Sequence, residues 1–246
     1  MEILYKSVEN DANIEGISVQ NKEIKYTAFA DDATFLLNGN KSTFESLINL
    51  IDKFGTISGL KLNINKSIVL RVGSLKYSVE TFCNNKKFVW TNDRASTLGI
   101  VFTNDKNKNI DLNYNPKLEQ FQNCLEIWKK HKMSIIGKIT VIKTFALPKL
   151  IFPLTVLETP NINFINSIKN KMFEFLWEGK PDKIKRKTII QNIENGGLKM
   201  IDIELFINSL KASWVKRLTD DSNKGGNLYI CLYLNKTNYV PGPALL

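Results

Sequence analysis

Residues 26–37 form the stretch that most constrains the fold, because two apolar runs there flank the adjacent carboxylates of Asp31 and Asp32 (YTAFADDATFLL). Aromatic, Thr and Ala positions favour strands, so an acidic corner between two such runs predicts a β-hairpin with the acids at its tip. Carboxylates at a tight turn supply the hard oxygen ligands that Mg²⁺ prefers. Phosphoryl transfer by two metals about 3.5–4 Å apart needs such ligands. The alternative is an ordinary solvated turn.

The charge of the chain is unevenly distributed. Lys and Arg together number 34 against 24 Asp and Glu. Residues 1–110 carry 14 basic and 12 acidic side chains, whereas residues 111–246 carry 20 and 12. A polyanion such as nucleic acid is therefore a plausible partner for the second half, since Lys and Arg attract phosphates. A basic surface that binds nothing is the alternative.

Cysteine and histidine usage excludes several classes of protein. The three cysteines are widely spaced and no CxxC occurs, which argues against a disulfide scaffold and against a zinc module. The single histidine, His131, lies among lysines and is expected at the surface. No signal peptide and no run of about 18 apolar residues is visible, so we expect an intracellular protein, in the cytoplasm or nucleus, without a membrane partner.

The first half alternates helix and strand patterns. A helix is expected near residues 3–10 and a short strand near 15–19. Ser42 to Glu45 has the form of a capping box, and Gly55 and Gly59 should mark the end of the helix that it starts. Alternation over Leu60 to Ile64 predicts a half-buried strand. Phe88 to Trp90 and Leu98 to Phe102 are expected to pair across a polar turn. The helix after Ser42 has one apolar stripe, formed by Phe44, Leu47, Ile48, Ile51, Phe54 and Ile57.

The second half is expected to be helical after a polar boundary at residues 104–109. Asn115-Pro116 should cap and start a helix, whose apolar seam is Leu118, Phe121, Leu125 and Trp128. Ser134 should cap the next helix and Pro148 should end it. Two further helices are predicted at about 162–177 and 203–218. The basic loop at 180–187 either touches nucleic acid or is simply solvated.

Two motifs in the first half resemble blocks of a known family. Phe29-Ala30-Asp31-Asp32 resembles the palm hairpin of reverse transcriptases, and residues 58–67 (SGLKLNINKS) resemble the next block of the non-LTR, LINE-type retrotransposon enzymes. Thr97-Leu98-Gly99-Ile100 is similar to the primer-grip hairpin of that family, with Thr97 where the family has Tyr.

The second half resembles the thumb of the same enzymes. Trp128-Lys129, residues 133–138 (MSIIGK), Lys143 and Leu147-Pro148 follow the pattern with which that thumb begins, and FLW at 175–177 with GGL at 196–198 follows its later pattern. The resemblance implies an α+β fold. A partial palm, with an antiparallel sheet and a packed helix, would occupy residues 1–108. An all-helical thumb bundle would occupy 109–219, and an irregular tail 220–246.

The resemblance implies that Asp31 and Asp32 are catalytic and bind Mg²⁺. It implies that Lys66 orients the incoming triphosphate or protonates the leaving pyrophosphate, while a plain surface lysine is the alternative. An RNA template and a DNA primer are the implied partners. The positions expected to contact this hybrid are Leu98, Gly99, Lys129, Lys132, Gly137, Lys138, Lys143, Lys185 and Arg186.

Other parts of the family pattern do not occur among these residues. In the family a third Asp on an upstream strand bridges the metals and is followed by a Gln-Gly-x-x-x-Ser-Pro segment, and neither is found before Asp31. We therefore expect a fragment that needs an upstream fingers and palm part and that is inactive in nucleotidyl transfer alone, with weak metal binding. The alternatives are a non-catalytic remnant that binds RNA and DNA through its basic thumb, and a decayed open reading frame without activity.

Overall fold

The computed structural model describes residues 1–19 and 22–218, and these described residues fall into two compact units that divide between Asn109 and Ile110. The chain is 55% helix and 13% strand, so the α+β class is confirmed. Every described strand belongs to the first unit. The boundary lies one residue after the one expected from sequence, while the identity of the units as palm and thumb stays a prediction. The tail expected to be irregular, 220–246, lies outside the described residues.

In the part of the first unit that the structure describes there are two α-helices and eight short strands. They are α1 (Glu2–Asn10), β1 (Ile17–Val19), β2 (Lys22–Ile24), β3 (Tyr26–Phe29), β4 (Asp32–Phe35), α2 (Lys41–Ser58), β5 (Ile68–Leu70), β6 (Val89–Thr91), β7 (Arg94–Thr97) and β8 (Ile100–Thr103). The strands form four separate pairs rather than the one antiparallel sheet that was expected. The pairs β1–β2, β3–β4 and β7–β8 are antiparallel, and β5–β6 is parallel.

Two apolar clusters hold the first unit together. One joins the inner faces of α1 and α2, where Leu4, Val8, Ile14 and Leu47 are buried. Aromatic rings form the other, because Phe44 of α2 lies 5.2–6.1 Å, between ring centroids, from the side chains of Phe82, Phe88 and Trp90. Such ring pairs add to the free energy that burial supplies. The aromatic cluster therefore fixes the parallel pair β5–β6 to α2.

The start of α2 differs from the predicted capping box. The helix begins at Lys41 with Asn40 as its extended N-cap residue, and no side chain caps it. Ser42 is already inside the helix, so it cannot have the extended backbone that a capping box requires. Gly59 ends the helix in the left-handed conformation, as predicted, whereas Gly55 lies inside the helix and does not mark its end. Most of the apolar stripe faces the unit, but Ile57 is 88% exposed.

Two strand predictions in the first unit are wrong. Residues 60–63 are not a strand, and the Asn63 side chain instead accepts a hydrogen bond from the Lys66 amide at the start of a 3₁₀ turn, Ile64–Lys66. Local side-chain bonds of this kind compete with strand pairing. The segment with Phe88 also has a different partner: β6 pairs with β5, while the partner of β8 is the unpredicted strand β7.

Every regular element that the structure describes in residues 110–218 is a helix or a helical turn, and non-helical connections join these elements. The elements of this second unit are α3 (Lys106–Lys129), α4 (Ile135–Val141), a π-helical turn (Ile142–Ala146), α5 (Pro148–Val156), α6 (Ile162–Trp177), α7 (Arg186–Ile190), a 3₁₀ turn (Ile193–Asn195) and α8 (Ile203–Leu218). One core joins these helices, and its largest fully buried side chains are Tyr114, Phe121, Ile142, Leu147, Leu150, Leu154, Ile168, Met172, Phe173, Leu176 and Ile189.

In the second unit the predicted helix bounds agree with the structure better than the predicted roles of the prolines do. The bounds of α6 and α8 match the prediction, and Ser134 caps α4 through a hydrogen bond from the Gly137 amide, 3.2 Å. Pro116 lies inside α3, however, and does not start a helix; α3 already begins within the predicted loop 104–109. Pro148 begins α5 rather than only ending α4, because proline fits the first turn of a helix.

The described residues contain no single helix long and apolar enough to span a membrane. By length and composition, only α4 with its π-helical turn and α5 pass as a pair, and this pair is bent by 49°.

Side chains of α8 close the C-terminal end of α5. The indole Nε1 of Trp214 donates to the Thr155 carbonyl at 2.9 Å, and the Lys211 ammonium donates to the carbonyls of Thr155 and Leu157. The last carbonyls of a helix have no partner within it, so these contacts satisfy groups that would otherwise be unpaired. Burial of Lys211 lowers its pKa from 10.5 to about 8.

The lowered pKa of Lys211 predicts a pH-dependent contribution to stability. Between pH about 8 and 10.5 the unfolded chain holds a proton on Lys211 that the folded chain has released, so the free energy of unfolding should rise with pH in this window. We expect the wild type to gain stability relative to Lys211→Met from pH 8 to 10, and the difference to be flat below pH 8.

Urea unfolding of both proteins at matched ionic strength measures this difference. A wild-type advantage that stays constant or falls from pH 8 to 10 would contradict the proposed burial of the ammonium.

Candidate functional site

The predicted hairpin with acids at its tip is confirmed. In the β3–β4 pair Phe29 lies opposite Asp32, so Ala30 and Asp31 form a two-residue turn. Ala30 has a φ of +53°, in the left-handed region that hairpin turns of this length require and that few side chains favour. Both carboxylates are exposed, and the Phe29 ring beside them is 69% exposed. The tip therefore presents two acids and an aromatic ring to solvent.

The two carboxylates at this tip suit a Mg²⁺ ion whose other coordination positions are filled by water or by substrate phosphates. Asp31 and Asp32 offer carboxylate oxygens, and Mg²⁺ is commonly held by one or two carboxylates while water and substrate phosphates fill its other positions. Across the described ranges no group of three or more His, Cys, Asp or Glu side chains could enclose a metal ion. Water or substrate oxygens would therefore supply the other ligands of any Mg²⁺ at the tip.

A second hairpin, β7–β8, turns at Leu98 and Gly99. Thr97 pairs with Ile100, and the two turn residues have φ values of +51° and +78°. Positive φ at both positions is the requirement of the tightest hairpin turn, which Gly99 meets without strain and Leu98 does not. The Leu98 side chain is 44% exposed. This tip therefore holds an apolar side chain towards solvent on a constrained turn.

The structure brings the two hairpins together. The hydroxyl oxygens of Thr34 in β4 and Thr97 in β7 lie 3.4 Å apart, although 63 residues separate them in sequence. Thr34 follows Asp32 by two residues and so faces the same side of its strand, while Thr97 directly precedes Leu98. The acidic tip and the Leu98–Gly99 tip are therefore neighbours. No sequence pattern linked the two threonines to each other.

Lys66 is not bonded to the acids of the β3–β4 hairpin in the described part of the chain. It ends the 3₁₀ turn after Asn63, and its side chain is exposed. Among the residues with described side chains, no ion pair or hydrogen bond joins its ammonium to Asp31 or Asp32. Its predicted part in catalysis stays a prediction.

Lys138 is buried rather than displayed to a phosphate. Its ammonium donates to the Glu178 carboxylate at 2.7 Å and to the Leu176 carbonyl at 3.3 Å, and only 8% of the side chain is exposed. The hydrogen bond from Lys138, with its positive charge, lowers the pKa of Glu178. Both acceptors lie at the C-terminal end of α6, so Lys138 is a cap for that helix. This corrects its assignment as a phosphate contact.

The surroundings of Gly137 within the chain leave its predicted contact with the hybrid a prediction. A side chain there would meet only Ser134 and Met133, at ordinary contact distances of 3.5 Å and more. Its amide is used by the Ser134 cap. Gly137 therefore also has a local role at the start of α4.

Some of the remaining residues predicted to contact nucleic acid already interact with other groups of the protein, and others are exposed. Arg186 pairs with Asp182 at 2.7 Å, and its guanidinium lies 4.6 Å from the centre of the Phe173 ring. Lys129 lies 3.6 Å from Glu126, and Lys143 is half-buried. Lys132 and Lys185 are exposed. These last two are the predicted positions best able to reach a phosphate.

No family model matches the chain.

The capping role of Lys138 predicts a loss of stability when its charge is removed. Lys138→Met keeps the apolar stem but leaves the buried Leu176 carbonyl without its donor, which should lower the free energy of unfolding by about 1–3 kcal/mol. The matched control Lys130→Met replaces an exposed lysine at the end of α3 and should change it by less than about 0.5 kcal/mol.

Guanidinium unfolding followed by tryptophan fluorescence makes this comparison. Equal stabilities of Lys138→Met and Lys130→Met would show that the Lys138 ammonium does not cap α6.

Proposed function

We propose that this chain is the palm and thumb portion of a reverse transcriptase of the non-LTR, LINE type, and that its hairpin tips belong to a nucleotidyl-transfer site. The single observation that carries the proposal is the contact between Thr34 and Thr97. It sets the acidic tip beside the Leu98–Gly99 tip, and this juxtaposition suits a site that holds a primer end next to metal-bound phosphates.

The proposed chemistry assigns a task to each element. Asp31 and Asp32 would hold Mg²⁺, which when bound supplies charge neutralisation at the triphosphate and activation of the primer hydroxyl. Leu98 and Gly99 would position the primer strand through the exposed apolar side chain and the narrow turn. Lys66 would orient the triphosphate or protonate the leaving pyrophosphate. RNA template and DNA primer are the partners in this proposal, inside the cell.

A second candidate function is binding of an RNA–DNA hybrid without catalysis. It is favoured by the charge of the second half, where residues 111–246 hold 20 basic and 12 acidic side chains. Exposed lysines such as Lys132 and Lys185 could neutralise phosphates whether or not the hairpin tips bind a metal. Under this candidate the acids at the tip would be dispensable.

Iron-directed cleavage tests the proposed metal site. Fe²⁺ bound in place of Mg²⁺ reduces added hydrogen peroxide to hydroxide and a hydroxyl radical and is itself oxidised to Fe³⁺. The radicals should cut the backbone near 30–33 and also near 97–100, because the two tips are neighbours. Excess Mg²⁺ and the double variant Asp31→Asn/Asp32→Asn should both abolish the cuts. Asp93→Asn, an exposed acid between β6 and β7, is the control and should leave them unchanged.

Cutting that survives the double variant would refute the assignment of the two acids. In a primer-extension assay the isolated chain is expected to give only background, because residues 1–19 and 22–218 supply no third side chain that joins the two carboxylates around a metal ion. Extension that Asp31→Ala abolishes would overturn that expectation.

The salt dependence of hybrid binding tests the second unit. Three to five neutralised phosphates predict a slope of log affinity against log salt of about −3 to −4. Lys132→Ala/Lys185→Ala should make the slope shallower by up to about 2, since each lysine accounts for about 0.9. The control Lys41→Ala/Lys53→Ala removes two exposed lysines of α2.

Affinity is measured by fluorescence anisotropy of a labelled hybrid between about 50 and 200 mM salt. Absence of binding at the lowest salt, or equal slopes for both double variants, would count against the hybrid-binding surface.

A further inference from the structure

We propose that the second unit binds an unpaired nucleic acid strand through three aromatic rings, those of Phe145, Trp128 and His131, at the C-terminal end of α3. We call these three side chains the ring row. The proposal concerns the bases of a single strand, whereas both candidate functions above concern a template–primer hybrid. It therefore goes beyond them and rests on neither.

Ring contacts hold the ring row together, with Trp128 in the middle. The centroid of the Trp128 ring lies 5.0 Å from that of Phe145, with 31° between the ring planes, and 5.6 Å from that of His131. The His131 amide donates to the Trp128 carbonyl at 3.0 Å, so the backbone also fixes His131 beside the end of α3. A surface that is ordered before its ligand arrives loses less entropy on binding.

The two outer rings are open to solvent. Phe145 is 48% exposed and His131 is exposed, while Trp128 is half-buried and packs against the core of the unit. Phe145 belongs to the π-helical turn Ile142–Ala146, and turns of this kind are rare and occur frequently at functional sites. Trp128 therefore anchors the row in the core, while Phe145 and His131 present ring surface that a base could cover.

The chain that carries the ring row is basic. Residues 127–157 contain six lysines and neither Asp nor Glu. Lys130 and Lys132 lie on either side of the histidine and are exposed, while Lys129 lies 3.6 Å from Glu126. An excess of exposed cations attracts the phosphates of a nucleic acid strand.

A lysine from another element adds charge on the same side of α3. Burial raises the pKa of the Cys124 thiol, and the positive charge of Lys149 acts against that rise, so the Lys149 ammonium lies near this thiol. Cys124 precedes Trp128 by four residues in α3, and residues four apart share a helix face. The exposed Lys149 therefore places a cation from α5 on the side of α3 that carries Trp128.

Rings beside exposed lysines fit an unpaired strand better than a duplex or a membrane. Proteins that bind single strands stack bases on aromatic side chains and neutralise phosphates with basic ones. In a duplex the neighbouring base pairs cover the faces of each base, so the rings have nothing to stack on. A helix that lies on a membrane separates its lysines from its rings on opposite faces, whereas Lys149 is on the same side as Trp128.

Fluorescence anisotropy with labelled octanucleotides and the whole chain tests the proposal. Oligodeoxyuridine has bases that can stack, and a strand of abasic deoxyribose phosphates has the same length and charge without bases. We expect oligodeoxyuridine to bind more tightly than the abasic strand. Oligouridine should bind as oligodeoxyuridine does, because stacking does not involve the 2′-hydroxyl. The abasic comparison cancels the phosphate contacts on which the hybrid assay relies, so the two assays fail independently.

Variants locate the bases on the ring row. Phe145→Ala should weaken oligodeoxyuridine binding by about 5- to 150-fold, the range that loss of one stacked base implies, and should leave abasic binding unchanged. Phe145→Tyr keeps the ring and should retain binding. His131→Ala removes an exposed ring outside the core and should weaken binding in the same direction, which decides the test if circular dichroism shows that Phe145→Ala is unfolded. Phe102→Ala, equally 48% exposed but on β8 of the first unit, is the control and should have no effect.

Two results with the strands would overturn the proposal. One is equal affinity for the oligodeoxyuridine and abasic strands, and the other is unchanged binding by both Phe145→Ala and His131→Ala. Vesicles that contain phosphatidylserine are the remaining probe. Binding to these vesicles without binding to the strands would assign the ring row to anionic lipid and would likewise overturn the proposal.

Discussion

The second unit depends on the satisfaction of helix C-termini by side chains from other helices. Lys138 of α4 closes the end of α6, and Lys211 and Trp214 of α8 close the end of α5. This unit is built from helices interrupted by a π-helical turn, prolines and short connections, so it has many ends for its size. Each end carries carbonyls without intrahelical partners, and burial makes them costly unless donors reach them. The lysines therefore act as internal connectors, and charge that the sequence would assign to a surface is used inside the unit.

The parts of the fold that could be predicted are those set by periodicity. The amphipathic patterns of α6 and α8 and the alternation around the Asp31–Asp32 hairpin needed no information about distant residues, and all three are present. The errors arose where local chemistry competes with pattern. Asn63 bonds its own backbone and ends what alternation predicted to be a strand. Pro116 is carried inside α3, between the buried Tyr114 and Phe121, because tertiary packing outweighs the loss of one helical hydrogen bond.

The sequence indicated which residues form the candidate site but not how these residues are arranged in space. Sequence indicated Asp31, Asp32, Leu98 and Gly99, but their proximity depends on two threonines 63 positions apart, which no spacing rule connects. The role of Lys138 was not predictable either, because its acceptors belong to a helix end 38 to 40 residues away. The resemblance to reverse transcriptases gives each of these residues a role within one hypothesis. It remains a proposal whose strength is the placement of the two tips.

The separation of the strands into pairs has a consequence for how the first unit moves. A strand in a two-stranded pair directs alternate amides to its one partner and the others to solvent or to neighbouring groups. No strand among the described pairs is flanked on both sides, so no ladder accumulates the cooperative protection of a central strand. Amide exchange in this unit should accordingly follow a residue-by-residue alternation along each ribbon, with the slowest amides in α1 and α2. The hairpin tips would then be anchored by helices and rings while their own ladders open locally.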